Sequence, residues 1–264
     1  MRIIIEALKI DKMPQARRVH FWFLTLFVAS SAIYLTVPEG AQMESFAIEF
    51  SAFLTQGGGM PFPAPVLFLS LLKQLGLVVI SLWFILLYAV HWLFASSDIA
   101  TEVMGEDEVS VIPPLPDLGD KTPGMTALKA FPTLIVLAVS MIVPYIISFP
   151  AMGIPFYLLS TMLSMSIFVV IFENKTLPSA MESSYKMTSG MKFFIFVSFL
   201  FLRSVTSIAN DLLHLVFTQS EWAGSLIRAF FYALKTLAFG RLAAMFYRSL
   251  SAREVLQKQS FDGY

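Results

Sequence analysis

The residues with chemistry to offer lie in the last third of the chain, inside stretches that are otherwise apolar. Arg203, Ser207, Asn210, Asp211 and His214 occupy one stretch, and Arg228, Tyr232 and Lys235 the next. At about 100° per helical residue, the first set falls within an arc of roughly 80–100°, opposite Phe201, Val205, Ile208 and Leu212. The second set recurs at spacings of four and three, which also gives a single face. An ionisable group in hydrocarbon costs roughly 2.5–3.5 kcal/mol on insertion scales, so such groups turn toward a bundle interior or a wet cavity. Two polar faces on consecutive helices therefore predict one shared seam.

Depth along that seam follows from a rise of about 1.5 Å per residue, counted from the short turn near Ser220. Asp211 and Arg228 fall in the same layer near the turn, and Arg203 with Lys235 in a deeper one. Asp211 is expected to pair with Arg228, because an unpaired buried charge is far more costly than a paired one. Arg203 and Lys235 then lack an acid at their depth, which invites an anion. With Asn210, His214 and Tyr232 they form a candidate anion or lipid-headgroup site. A phosphate suits it, since a guanidinium engages phosphate oxygens bidentately and stays charged. The alternative is that both cations snorkel to water or bond to free carbonyls.

The elements that must hold this seam are membrane helices. Of 264 residues, 57% are hydrophobic and 14% charged, against roughly 45–50% and about 25% in soluble domains. Crossing hydrocarbon takes about 20 mostly apolar residues in helical form. Six stretches qualify, approximately Phe21 to Val37, Gln74 to Phe94, Ala130 to Phe149, Ile154 to Phe172, Phe193 to Phe217, and Trp222 to Phe246. The fold expected is an all-α polytopic membrane bundle of about six transmembrane helices, with short interfacial helices. The first stretch follows Arg17 and Arg18 as a secretory signal would, but the long polar lead before it argues against cleavage.

Basic residues set the orientation, because Lys and Arg of short loops are retained in the cytoplasm. Placing Arg2, Lys9, Lys12, Arg17 and Arg18 inside also places Lys121, Lys129, Lys175, Lys186, Lys192, Arg248, Arg253 and Lys258 inside. Lys73 is then the only basic residue outside. Both termini are expected on the cytoplasmic side of a single integral membrane domain spanning residues 1–264. Its parts are a cytoplasmic lead (1–20), an outward interfacial segment (38–73), a cytoplasmic loop (95–129) and a cytoplasmic tail (247–264).

Ala41 to Gln56 carries Met43, Phe46, Phe50 and Phe53 at helical spacing, as a helix lying on the membrane surface would. Gly57 to Gly59 and Pro61, Pro63 and Pro65 end it; a re-entrant or gating loop is the other reading. The 95–129 loop is acidic at Asp98, Glu102, Glu106, Asp107 and Glu108 and contains Pro113, Pro114, Pro116 and Pro123. It reads as a solvated linker or a docking segment.

Several chemistries have no foothold. The chain has no cysteine and a formal net charge of zero, so a disulfide framework, a thiolate metal site and a field that recruits nucleic acid are excluded. No histidine or carboxylate pair has ligand spacing toward the core, and His20 and His91 read as interfacial residues beside Trp22 and Trp92. Phosphate loops, dinucleotide turns, zinc helices and serine elbows are missing. No catalytic residue, metal or cofactor is expected.

The segment Leu177 to Leu202, LPSAMESSYKMTSGMKFFIFVSFLFL, is a short amphipathic helix with Ala180 and Ser184, a Ser189–Gly190 turn and an aromatic-rich run into the membrane. It resembles the repeated signature of the integral-membrane domain family that occurs fused to bacterial glycerophosphodiester phosphodiesterases and as stand-alone proteins. The closing run AFGRLAAMFYRSL, Ala238 to Leu250, is similar to that family's last helix, with Tyr247 and Arg248 as its Tyr-Arg pair. The resemblance covers about the last third of the chain. It implies a fold and a bacterial cell (inner) membrane, not catalysis, since the His-Arg-Gly element that begins the phosphodiesterase half is missing.

The expected function is a non-enzymatic membrane module that binds a membrane lipid or a partner membrane protein between the fifth and sixth helices. A transporter or channel for a small anion or lipid is the alternative, and a membrane-embedded lipid-headgroup enzyme a third.

Overall fold

A chain this apolar must satisfy its backbone amides internally, and it does so with helices. The computed structural model describes residues 2–11, 16–36, 41–57, 59, 65–103, 122–148, 154–217 and 220–262. The regular elements among them are all α-helices: α1 (Arg2–Leu8), α2 (Ala16–Thr36), α3 (Ala41–Gln56), α4 (Pro65–Val103), α5 (Pro123–Ser140), α6 (Ile142–Ser148), α7 (Ile154–Leu163), α8 (Ser166–Glu173), α9 (Leu177–Met187), α10 (Lys192–Val216) and α11 (Glu221–Asp262).

Five helical segments are long and apolar enough to cross a membrane: α2, Phe68–Ser96 of α4, α5 with α6, α10, and Trp222–Arg253 of α11. The protein is an all-α, multi-pass membrane bundle. Its outer surface agrees, since Phe21, Leu24 and Val28 of α2, Leu72 and Leu75 of α4, and Val143, Ile146 and Ile147 of α6 are all more than half exposed. Apolar patches on that scale suit a lipid solvent, not water.

The fourth expected span, Ile154 to Phe172, is not one continuous helix. It is α7 and α8, interrupted at Ser164 and Met165, and neither piece alone is long enough to cross. The interruption is tolerated because its freed carbonyls find donors. Ser184 Oγ on α9 donates to Met162 O at 2.6 Å, and Ser164 Oγ donates to Thr161 O at 2.7 Å. α7 packs on α6, and α8 on α5. The pair therefore runs antiparallel to α5–α6, which has its own interruption at Met141. Pro144 explains that one, since it has no N–H for the Ser140 carbonyl and its ring crowds it.

Two helices overrun the membrane. α4 has 39 residues and α11 has 42, or about 58 and 63 Å at 1.5 Å per residue, against a hydrocarbon thickness of about 30 Å. α4 therefore continues from Phe94 to Val103, inside the loop expected to begin at 95. The acidic cluster at Glu106 to Glu108 and Pro113, Pro114 and Pro116 lie outside the described residues. α11 extends through most of the expected tail.

α11 is the hub and the most enclosed of the spans. It packs on α2, α4 and α10, on α1 at Arg241 near its middle, and on α9. Its alanines Ala229, Ala233, Ala238 and Ala244 are fully buried, as expected where helices in lipid associate through close backbone approach. Ser30 Oγ of α2 comes within 3.4 Å of Ala229 O. At Gly240 the approach to α4 is tighter still: a Cβ there would lie 2.8 Å from Ile85 O. Nearer the α9 end, Tyr247 is held by Phe168 and Phe172, with ring centres 5.3 and 5.5 Å away.

α9 ends at Met187. The turn that follows contains Gly190 at φ 80, a conformation that a Cβ would strain. Outside the spans, Lys186 donates to Glu182 at 2.6 Å, and that hydrogen bond and charge hold the exposed Glu182 carboxyl below its ordinary value.

Candidate functional site

α10 and α11 lie side by side, and their polar faces meet in a pocket of about 350 Å³. Arg203, Asn210, Arg228, Tyr232 and Lys235 all line it, together with Tyr34 of α2. Arg203 and Lys235 are 13 and 14 residues from the ends of their helices at the α10–α11 turn, about 20 Å deep by helical rise. Asn210 and Arg228 form a shallower layer about 10 Å from the same turn.

Two residues expected at the site lie elsewhere. Asp211 is exposed and absent from the pocket wall; its carboxylate accepts from Asn210 Nδ2 at 3.1 Å. The geometry thus lends no support to a pairing of Asp211 with Arg228. His214 turns toward the start of α11, where a Cβ on Gly224 would stand 2.8 Å from its Nε2. The pocket-facing arc of α10 instead includes Thr206. It is rotated by about 40° from the arc that the polar residues alone define. Thr206 escapes a polarity count because its hydroxyl is spent on its own helix, donating to Leu202 O and Arg203 O at 2.9 Å each.

Hydrogen bonds brace the site. Arg203 Nη1 donates to Tyr157 Oη at 3.4 Å, which ties α10 to α7. Tyr232 Oη donates to the Leu77 carbonyl, which ties α11 to α4. Tyr34 lies edge-on to Tyr232 with ring centres 6.5 Å apart, and Lys73 Nζ is 5.1 Å from the Tyr34 ring centre, a cation–π distance. Asn210 Oδ1 is buried with no hydrogen-bond partner among the described residues, so it offers an acceptor to an incoming donor.

The described pocket wall carries three cations and no carboxylate. Such an arrangement binds anions by charge and by guanidinium hydrogen bonds. Among the described residues no group of three His, Cys, Asp or Glu side chains could hold a metal ion.

A buried cation outside this pocket was missed in the sequence. Arg241 is 5% exposed. Its Nη1 donates to the Lys9 carbonyl, and its Nη2 lies 3.9 Å from Glu6 Oε2, so α1 is fastened to α11. Tyr88 Oη donates to Ile10 O at 3.0 Å beside it. The available signal was a lone Arg within an apolar run, off the Tyr232–Lys235 face.

No family model matches the chain, and neither does any curated protein or solved structure at significance.

Proposed function

We propose that the protein is a non-enzymatic membrane module that holds the phosphate headgroup of an anionic lipid between α10 and α11. The observation that carries this reading is the convergence of Arg203 and Lys235, from different helices, on one pocket about 20 Å along them from the α10–α11 turn, with no acid in its described wall. Like charges at that depth repel, and an anion between them relieves the repulsion. The acceptor at Asn210 suits a headgroup that also carries a hydroxyl. The test is phosphatidylglycerol binding to the purified protein, compared with phosphatidylcholine. Wild type should bind the anionic lipid preferentially, and Arg203→Gln with Lys235→Gln should weaken it by about tenfold or more. Unchanged binding in a folded double variant would remove the reading.

A second reading, lipid or anion transport, draws on the interruptions at Met141 and Ser164, because discontinuous helices border the binding sites of many transporters. Uptake by reconstituted vesicles separates the two. The distribution of Lys and Arg favours both termini in the cytoplasm, with α7–α8 as a broken sixth crossing. The resemblance to the phosphodiesterase-associated membrane domains belongs to this proposal as well: α9, the turn at Gly190 and α10 follow in the order of its quoted signature.

A further inference from the structure

Arg203 borders two cavities. Besides the cationic pocket, it lines an apolar one of about 250 Å³ with Phe196, Phe199 and Phe239. That cavity shares Ser160, Ser164, Phe199 and Phe239 with a third, of about 380 Å³, which reaches Leu134 and Ala138 of α5 and Ile167 of α8. The three lie in series, the cationic pocket meeting the second at Arg203, with cations at one end and mostly apolar walls along the rest.

The helix interruptions make room for them. Met141, between α5 and α6, and Ser164, between α7 and α8, both line the cavity of about 380 Å³. Both apolar cavities open to the outer surface of the bundle, where Val78 and Leu200 of their walls are exposed, so a lipid chain can enter them from the side.

Building on the headgroup reading, we propose that the path holds one acyl chain of a membrane phospholipid. Its phosphate sits at Arg203 and Lys235, and the chain runs past Ser160 and Ser164 toward Ala138. The charge distribution selects this occupant. Cations are confined to one end, as an amphiphile with a single anionic head requires, and a free inorganic anion would leave the apolar two-thirds of the path unfilled. A partner helix, about 10–12 Å across, is too thick for apolar cavities of about 250 and 380 Å³.

The full-length protein, purified in detergent, is titrated with dipalmitoyl and dihexanoyl phosphatidylglycerol and read by native mass spectrometry. Wild type is expected to prefer the long chains by roughly tenfold, from packing contacts along the path. Ser160→Trp, at the junction of the two apolar cavities, should abolish that preference. Ala138→Phe, deeper in, should act in the same direction. A phosphatidylglycerol with a photoreactive group at the chain end, used on the unsubstituted protein, should label residues 134–141 and 160–168; this arm holds even if a variant fails to fold. Labelling confined to α2 and the outer face of α4, or a chain-length preference that survives both substitutions, would overturn the chain placement and leave the headgroup reading intact. If neither lipid binds wild type, both proposals fall together.

Discussion

Gly240→Ala tests how the hub helix is seated. The added Cβ would stand 2.8 Å from Ile85 O and 3.3 Å from both Ile85 Cα and Tyr88 Cβ, where ordinary contact begins near 3.4 Å. The opposing atoms are backbone, or rooted in it, so no rotamer change clears them. α11 must instead move away from α4 by about 0.6 Å, the difference between 3.4 and 2.8 Å. Overpacking of this kind costs about 1–3 kcal/mol, and alanine's intrinsic helix advantage returns about 0.5–1. The net loss relative to wild type is about 0–2.5 kcal/mol, or a fall in Tm of up to about 10 °C for a domain of this size. Gly76→Ala in α4 supplies the control, because its new Cβ meets nothing within 4 Å. It should be neutral or slightly stabilising. Thermal unfolding of both variants in the same detergent makes the comparison. The separation should also loosen the bond from Tyr232 to the Leu77 carbonyl and weaken lipid retention. If Gly240→Ala proves as stable as Gly76→Ala, the close α4–α11 contact does not seat the hub.

Ser184→Ala removes the hydroxyl that satisfies the Met162 carbonyl at the break between α7 and α8. It should destabilise the protein by about 1–3 kcal/mol, the cost of a buried unsatisfied carbonyl, measured as a lower Tm; an unchanged Tm would mean that water or lipid fills the role. For the orientation, the absence of native cysteine lets single cysteines report sides without background. Thr55→Cys in α3 should react with an impermeant maleimide in intact cells, and Lys186→Cys in α9 only after permeabilisation. The reverse pattern would invert the topology.

What could be read from the sequence was what each residue costs in lipid. Hydropathy located α2, α4, α10 and α11 because transferring an apolar run to hydrocarbon is a property of the run alone. Helical period placed Arg203, Asn210, Arg228, Tyr232 and Lys235 on faces that meet, because charge in lipid has to turn inward whatever its partner. The helix over Ala41–Gln56 and the turn at Gly190 were legible from apolar spacing and from glycine. Partners were not. Asp211 is polar and at the right depth, yet a rotation of about 40° leaves it exposed and brings in Thr206. The break at Ser164 depends on a hydroxyl from Ser184 on another helix, and Arg241 depends on α1, 232 residues from it in sequence at Lys9. The apolar path from Arg203 to Ala138 is a space between elements, so no single residue announces it. The sequence by itself determined which groups could not face lipid; only the tertiary structure decided what they face instead, because satisfying a buried group takes two residues and the chain can bring them together from any distance.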